Sequence, residues 1–107
     1  DLPKKFNIYP TRDCGSLFER FLDSAQKTGV ALDVNTAGLR KECAEIYPSL
    51  RILEMAASRN VPVSFGSDAH APGEVGMDFD RALTWVKSVG YTHYCRFENR
   101  RRLVTAL

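Results

Sequence analysis

The sequence has no run of apolar residues approaching the roughly 18 needed to cross a bilayer, which excludes a membrane-spanning helix. It has little net charge: 15 basic and 13 acidic residues leave a formal +2, too weak to argue for nucleic acid or an anionic membrane surface as a partner. Cysteine is scarce. Cys14, Cys43 and Cys95 are odd in number and far apart, with no C-x-x-C pair, which excludes a zinc ribbon and a disulfide framework and reads as reduced thiols of a cytoplasmic protein. Histidine is scarcer, with only His70 and His93. No apolar stretch comes after Lys4 and Lys5, so the start does not read as a signal peptide. The absence of an initiator methionine reads as the mark of an excised segment. What remains is a globular composition, 44% apolar and 26% charged, in 107 residues, enough for one small domain or a piece of a larger one.

The chain alternates helical and extended patterns. Ser16 and Glu19 have capping-box spacing, Phe18, Phe21, Leu22 and Ala25 recur at helical intervals, and Gly29 is a natural stop. Val30 to Val34 reads as a strand. Pro48 and Ser49 open a second helix with Ile52, Leu53 and Ala56 on one face, ending at Asn60. Val61 to Phe65, rich in β-branched and aromatic residues, reads as a second strand. A loop over residues 71 to 76 precedes a third helix marked by Phe79, Ala82, Leu83 and Val86, with Trp85 packing, and stopped by Gly90. Tyr91 to Phe97 reads as a third strand, and Asn99 as the cap of a last helix holding Leu103, Val104 and Leu107, with Arg100 to Arg102 on its polar side. This order predicts an α/β fold of parallel β/α units, either part of a barrel or a small open sheet.

In such folds functional groups gather at the carboxyl ends of strands. Side-chain alternation puts Ala31, Asp33 and Asn35 on one face of the first strand, and Ser64, Gly66 and Asp68 on one face of the second, opposite apolar faces. Asp68 and His70 stand in a D-x-H spacing, which suits convergence of a carboxylate and an imidazole on one divalent metal. The same spacing also occurs in hydrogen-bonded turns. Lys4 and Lys5 read as solvated, and His93, with no acidic neighbour in sequence, as structural.

Three stretches together resemble the PHP family of metal-dependent phosphoesterases, in its histidinol-phosphatase branch. A-L-D-V-N-T-A-G-L-R-K over residues 31 to 41 is similar to the family's A-L-E-I-N-T-S-G-L-R-K. Tyr47, Pro48 and Ser49 lead into a helix as they do there. G-S-D-A-H over residues 66 to 70, with Val75, Gly76, Phe79 and Asp80 beyond it, completes the match. The opening D-L-P-K-K-F is similar to the residues just after the family's G-H-x-D motif, whose histidine, with the other family ligands, would lie upstream. Asp33 departs from the family's glutamate, and Ala71 from an arginine carried by many relatives.

The resemblance implies a single partial domain over residues 1–107, the C-terminal portion of a distorted seven-stranded β/α barrel binding up to three zinc, iron or manganese ions. It implies hydrolysis of a small-molecule phosphate ester, L-histidinol phosphate becoming L-histidinol and phosphate in histidine biosynthesis. Asp68 and His70 match family metal ligands and are the catalytic candidates. Arg40 and Asn35 are the substrate-binding candidates, with Asp33, Asn35 and Thr36 otherwise supporting the ligands or shaping the turn. Two alternatives stay open: a PHP-like interaction domain without catalysis, and a phosphoesterase acting on another small ester or a nucleic-acid end. The isolated chain is expected to be inactive and to self-associate through open sheet edges.

Overall fold

The computed structural model describes residues 3–107; Asp1 and Leu2, which belong to the N-terminal stretch of the resemblance, lie outside the described residues. After a 3-10 turn over Lys4–Phe6, the first helix, α1, runs Gly15–Thr28 and buries Leu22 and Ala25. It ends at Gly29 with φ 68°, where the missing Cβ removes the penalty of the left-handed conformation and the N–H reaches the Ala25 and Gln26 carbonyls. The expected capping box does not form. The helix begins at Gly15, behind Cys14, so Ser16 already lies in the first turn, and the Asp13 carboxylate accepts from the Gly15 N–H at 3.0 Å instead.

Strand β1 (Leu32–Asn35), helix α2 (Leu50–Ser58) and strand β2 (Val63–Gly66) form a parallel β-α-β unit, with Leu32 opposite Val63, Val34 opposite Phe65 and Asn35 opposite Gly66. Alternation works here as the sequence demands. Val34 and Val63 are buried among Ile46, Leu53, Ala82 and Val86, while Asp33 and Asn35 face the other way. A second cluster of Leu22, Ala25, Ala56 and Val61 fastens α1 to α2. Helix α3 (Phe79–Ser88) covers the apolar face with Ala82 and Val86, and Trp85 packs against the same cluster as expected.

The expected architecture fails after α3. The C-terminal portion of a (β/α)7 barrel, with a third parallel strand and a closing helix, is not what the chain forms. β3 (His93–Glu98) turns back into β4 (Arg101–Ala106) as an antiparallel hairpin, and the described residues contain one two-stranded parallel sheet and one two-stranded antiparallel sheet, with no closed barrel. The cause lies at Asn99 and Arg100, whose φ angles of 48° and 62° make the two-residue turn with both central residues left-handed that matches strand twist. Asn99 is thus a hairpin residue and not a helix cap. The segment after it has a period of two: Leu103, Thr105 and Leu107 are half-buried, and Arg102, Val104 and Ala106 are exposed. The hairpin packs beside β2, with the Phe65 and Tyr94 rings 5.3 Å apart and the Tyr91 hydroxyl donating to the Val61 carbonyl at 2.7 Å.

Candidate functional site

The carboxyl ends of β1 and β2 lie side by side, because Asn35 is in register with Gly66. Each strand runs directly into a polar turn. On the β1 side Asn35 caps the 3-10 turn Thr36–Arg40, its side-chain oxygen accepting from the Ala37 N–H at 2.9 Å, while its amide nitrogen donates to Asp33 at 3.1 Å. The Asp33 carboxylate lies over Gly66, where an added Cβ would come within 2.8 Å of its oxygen. Gly66 is therefore a close-approach glycine, and the closeness belongs to the polar face.

On the β2 side the chain passes through buried Ser67 to exposed Asp68, Ala69 and His70. Asp68 has φ 49°, a left-handed conformation that aspartate tolerates better than most residues. This kink turns the chain back on itself, and His70 Nδ1 lies 2.8 Å from the Asp68 carbonyl oxygen. A carbonyl only accepts, so Nδ1 carries the hydrogen of this contact, and Nε2 is the nitrogen left to supply a ligating lone pair. The His70 backbone N–H donates to Glu74 at 2.8 Å. That bond, with the charge of Arg40 as a lesser contribution, holds the Glu74 carboxyl below the usual carboxylate range, against an opposing desolvation.

Arg40 reaches across from the first turn. Its Nη2 donates to the Ser67 carbonyl at 2.7 Å and its Nε lies 3.7 Å from Glu74. Its Nη1 is shut off from solvent and has no partner among the described residues. The far end of the loop is tied down as well: Ser67 Oγ accepts from the Gly76 N–H at 3.2 Å, and the fully buried Thr36 hydroxyl donates to the Met77 carbonyl at 2.7 Å.

The fold thus brings Asp33, Asn35, Arg40, Asp68 and His70 to one end of the parallel sheet. Among the described residues, no group of three or more His, Cys, Asp and Glu side chains is gathered to hold a metal. The cavities of 630 and 640 Å³ border the hairpin, the first between it and the end of α2, and neither is lined by Asp68 or His70. The pair stands on an open ledge.

A family model described as PHP-associated matches residues 50–88. A probable histidinol-phosphatase of Deinococcus radiodurans is 46% identical over 90 residues, 84% of this chain and 34% of the relative. The chain belongs to the PHP family. The histidinol-phosphatase of Bacillus subtilis is 41% identical over 63 residues, 58% of this chain and 24% of that protein. A probable histidinol-phosphatase of Schizosaccharomyces pombe is 28% identical over 82 residues, 77% of this chain and 27% of its own. This PHP-family chain spans about a third or less of the length of the curated relatives it matches.

Some residues of this PHP-family segment sit differently from expectation. Lys4 is not solvated: it pairs with Glu45, its side chain only 12% exposed, and lies over the Tyr47 ring. Arg102 leaves the expected helix face and donates to the Gly29 carbonyl at 2.6 Å. His93 stands exposed on the hairpin beside the Thr92 hydroxyl, apart from the ledge. Sequence reading passed over Ser67 and Glu74. A carboxylate four residues after the histidine of a D-x-H, at the end of a short 3-10 turn (Pro72–Glu74), was the available signal for Glu74.

Proposed function

We propose that this chain forms one wall of the active site of a metal-dependent phosphatase that converts L-histidinol phosphate to L-histidinol and phosphate. The observation that carries the reading is the arrangement of His70. Its Nδ1 is engaged by the Asp68 carbonyl, which leaves Nε2 as the ligating nitrogen, next to an exposed carboxylate at the open end of the sheet. This donor set, one imidazole nitrogen and one carboxylate, suits zinc, iron or manganese. It is half of a four-ligand shell, so the remaining donors come from beyond the described residues. A divalent ion held there supplies Lewis acidity toward phosphoryl oxygens and makes water a competent nucleophile near neutral pH.

The chain's own residues supply the rest of this wall. Asp68 and His70 hold the ion. Arg40, with Nη2 on the Ser67 carbonyl and Nε facing Glu74, places its positive charge at the start of the loop that carries Asp68 and His70, where it favours a phosphate dianion. Asn35 acts through position, fixing the turn that carries Arg40 and orienting Asp33. The names of the relatives support histidinol phosphate as the substrate over another small ester or a nucleic-acid end.

A second reading is a PHP-like interaction domain without catalysis. The full-length gene product separates the two. Stoichiometric bound zinc, iron or manganese, with hydrolysis of histidinol phosphate faster than of generic monoesters, supports the phosphatase. A metal-free protein without phosphatase activity supports the interaction domain.

A further inference from the structure

We propose that Glu74 is a positioning residue for His70: its carboxylate, braced by Arg40, fixes the loop that selects the ligating nitrogen of that ring. The inference rests on the metallophosphatase reading but adds a residue and a role to it.

The loop from Ser67 to Glu74 closes on itself. Glu74 accepts the His70 backbone N–H at 2.8 Å, drawing the histidine Cα toward the 3-10 turn. Nearer the strand, Asp68 at φ 49° aims its carbonyl at His70 Nδ1, 2.8 Å away. The two bonds hold the same residue in two places, one on its backbone and one on its ring. Removing the first frees the backbone of His70 to rotate and lengthens the second. With Nδ1 released, the ring hydrogen redistributes between the two nitrogens, and the lone pair is no longer confined to Nε2.

Arg40 completes the brace. It binds the Ser67 carbonyl at 2.7 Å, at the start of the loop, and lies 3.7 Å from Glu74 at its end. Glu74 is therefore tied to both the ligand-bearing residue and the neighbouring turn of β1. What the His70 bond requires of Glu74 is an acceptor oxygen, which glutamine also provides. The charge matters to the Arg40 contact, which is longer and weaker.

The experiment takes the full-length protein as wild type, Glu74→Gln, Glu74→Ala and His70→Ala. Zinc affinity is measured by chelator competition, and the His70 ring tautomer by 15N NMR in the metal-free state. The expected result is an Nδ1–H tautomer in the wild type, and in Glu74→Ala a mixed tautomer with zinc affinity reduced about 10- to 100-fold. Glu74→Gln restores the tautomer and most of the affinity. Wild-type tautomer and affinity in Glu74→Ala overturns the inference. A glutamine variant as weak as alanine also overturns it, since the carboxylate would then act as a ligand or a charge. Failure of the parent reading shows separately, as a His70→Ala variant that binds zinc normally; the tautomer of Glu74→Ala then decides the positioning role alone.

Discussion

The Asp68 carbonyl oxygen accepts the Nδ1 hydrogen of His70 across 2.8 Å, so the backbone of one candidate ligand sets the ring of the other. The two cannot be treated as independent donors. Their spacing in sequence is what makes this possible: with one residue between them and Asp68 left-handed, the chain doubles back within a single turn. The same geometry explains why a D-x-H spacing is ambiguous when read alone. A hydrogen-bonded turn and a ligand pair are here one structure seen from two sides.

The first prediction arises from that coupling. In the full-length protein, Asp68→Asn and His70→Ala each lower metal affinity by about 100-fold or more, because groups that merely orient ligands already contribute about 10- to 100-fold. Metal content after dialysis and phosphatase rate are the measurements. His93→Ala, on the hairpin away from the ledge, leaves both unchanged.

A second prediction concerns Asp33 and Gly66. A methyl group at residue 66 meets the two Asp33 oxygens at 2.8 and 2.9 Å, so Gly66→Ala displaces the carboxylate from the strand end. Overpacking of this kind costs about 1–3 kcal/mol. The clash is with a side chain, so an Asp33→Ala background should remove most of the cost. Urea denaturation of the four members of the double-mutant cycle gives the coupling, and additive costs would show that the close approach has no energetic weight.

The parallel half of the fold was legible in the sequence because two signals agreed there. Val34 and Val63 alternate with polar neighbours, and the intervening helix carries Leu53 and Ala56 at helical spacing, so only one face of each strand is free to be functional. The hairpin was not legible because Asn99 serves equally as a helix cap or as the first residue of a tight turn. The segment Arg101–Ala106 is too short for periodicity to arbitrate, and only its pairing with β3 decides. In the site, the ligand candidates were visible as residue types. The bracing by Ser67 and Glu74 was not, since it depends on where a loop returns.

The hairpin turn gives a third prediction. Arg100 has φ 62°, a conformation that costs a residue with a Cβ roughly 1–2 kcal/mol. Arg100→Gly creates the Asn-Gly pair that this turn prefers, offset by about 0.5–1 kcal/mol of glycine entropy. The net expectation is a stabilisation between zero and about 1.5 kcal/mol, read as a higher denaturation midpoint. A lower midpoint would mean that the Arg100 side chain contributes more than its backbone costs.

Alkaline pH supplies a fourth. Burial pushes the Tyr91 hydroxyl up from 10.0 to about 12, and burial with the nearby Cys43 thiol does the same for Tyr47. A folded pKa above the unfolded one means the folded state holds its proton more tightly. The associated stability is complete below pH 10 and is lost as pH rises toward 12. Tyr91→Phe flattens that decline without abolishing it, because Tyr47 titrates in the same window. At neutral pH the variant is weaker by about 0.5–1.5 kcal/mol, the usual worth of a hydrogen bond such as the one to Val61. Denaturation midpoints from about pH 8 to about 12 test both effects.

The last prediction is that the isolated chain associates with itself through the hairpin. By register, Phe97 and Val104 project from the same face, since Val104 faces Cys95 and Phe97 is two residues further along β3. They are 61% and 65% exposed, a large apolar area for a small chain. Among the described residues β4 pairs on one edge only, which leaves its other edge as a template for a second strand. Arg101 and Arg102 on that strand oppose pairing by like-charge repulsion, so association should be weak at low salt and strengthen as salt screens the arginines. Light scattering at rising protein and salt concentration measures this. Val104→Lys should return the chain to a monomer at all salts, whereas a wild-type mass that stays monomeric under every condition would show that the exposed face is tolerated without a partner.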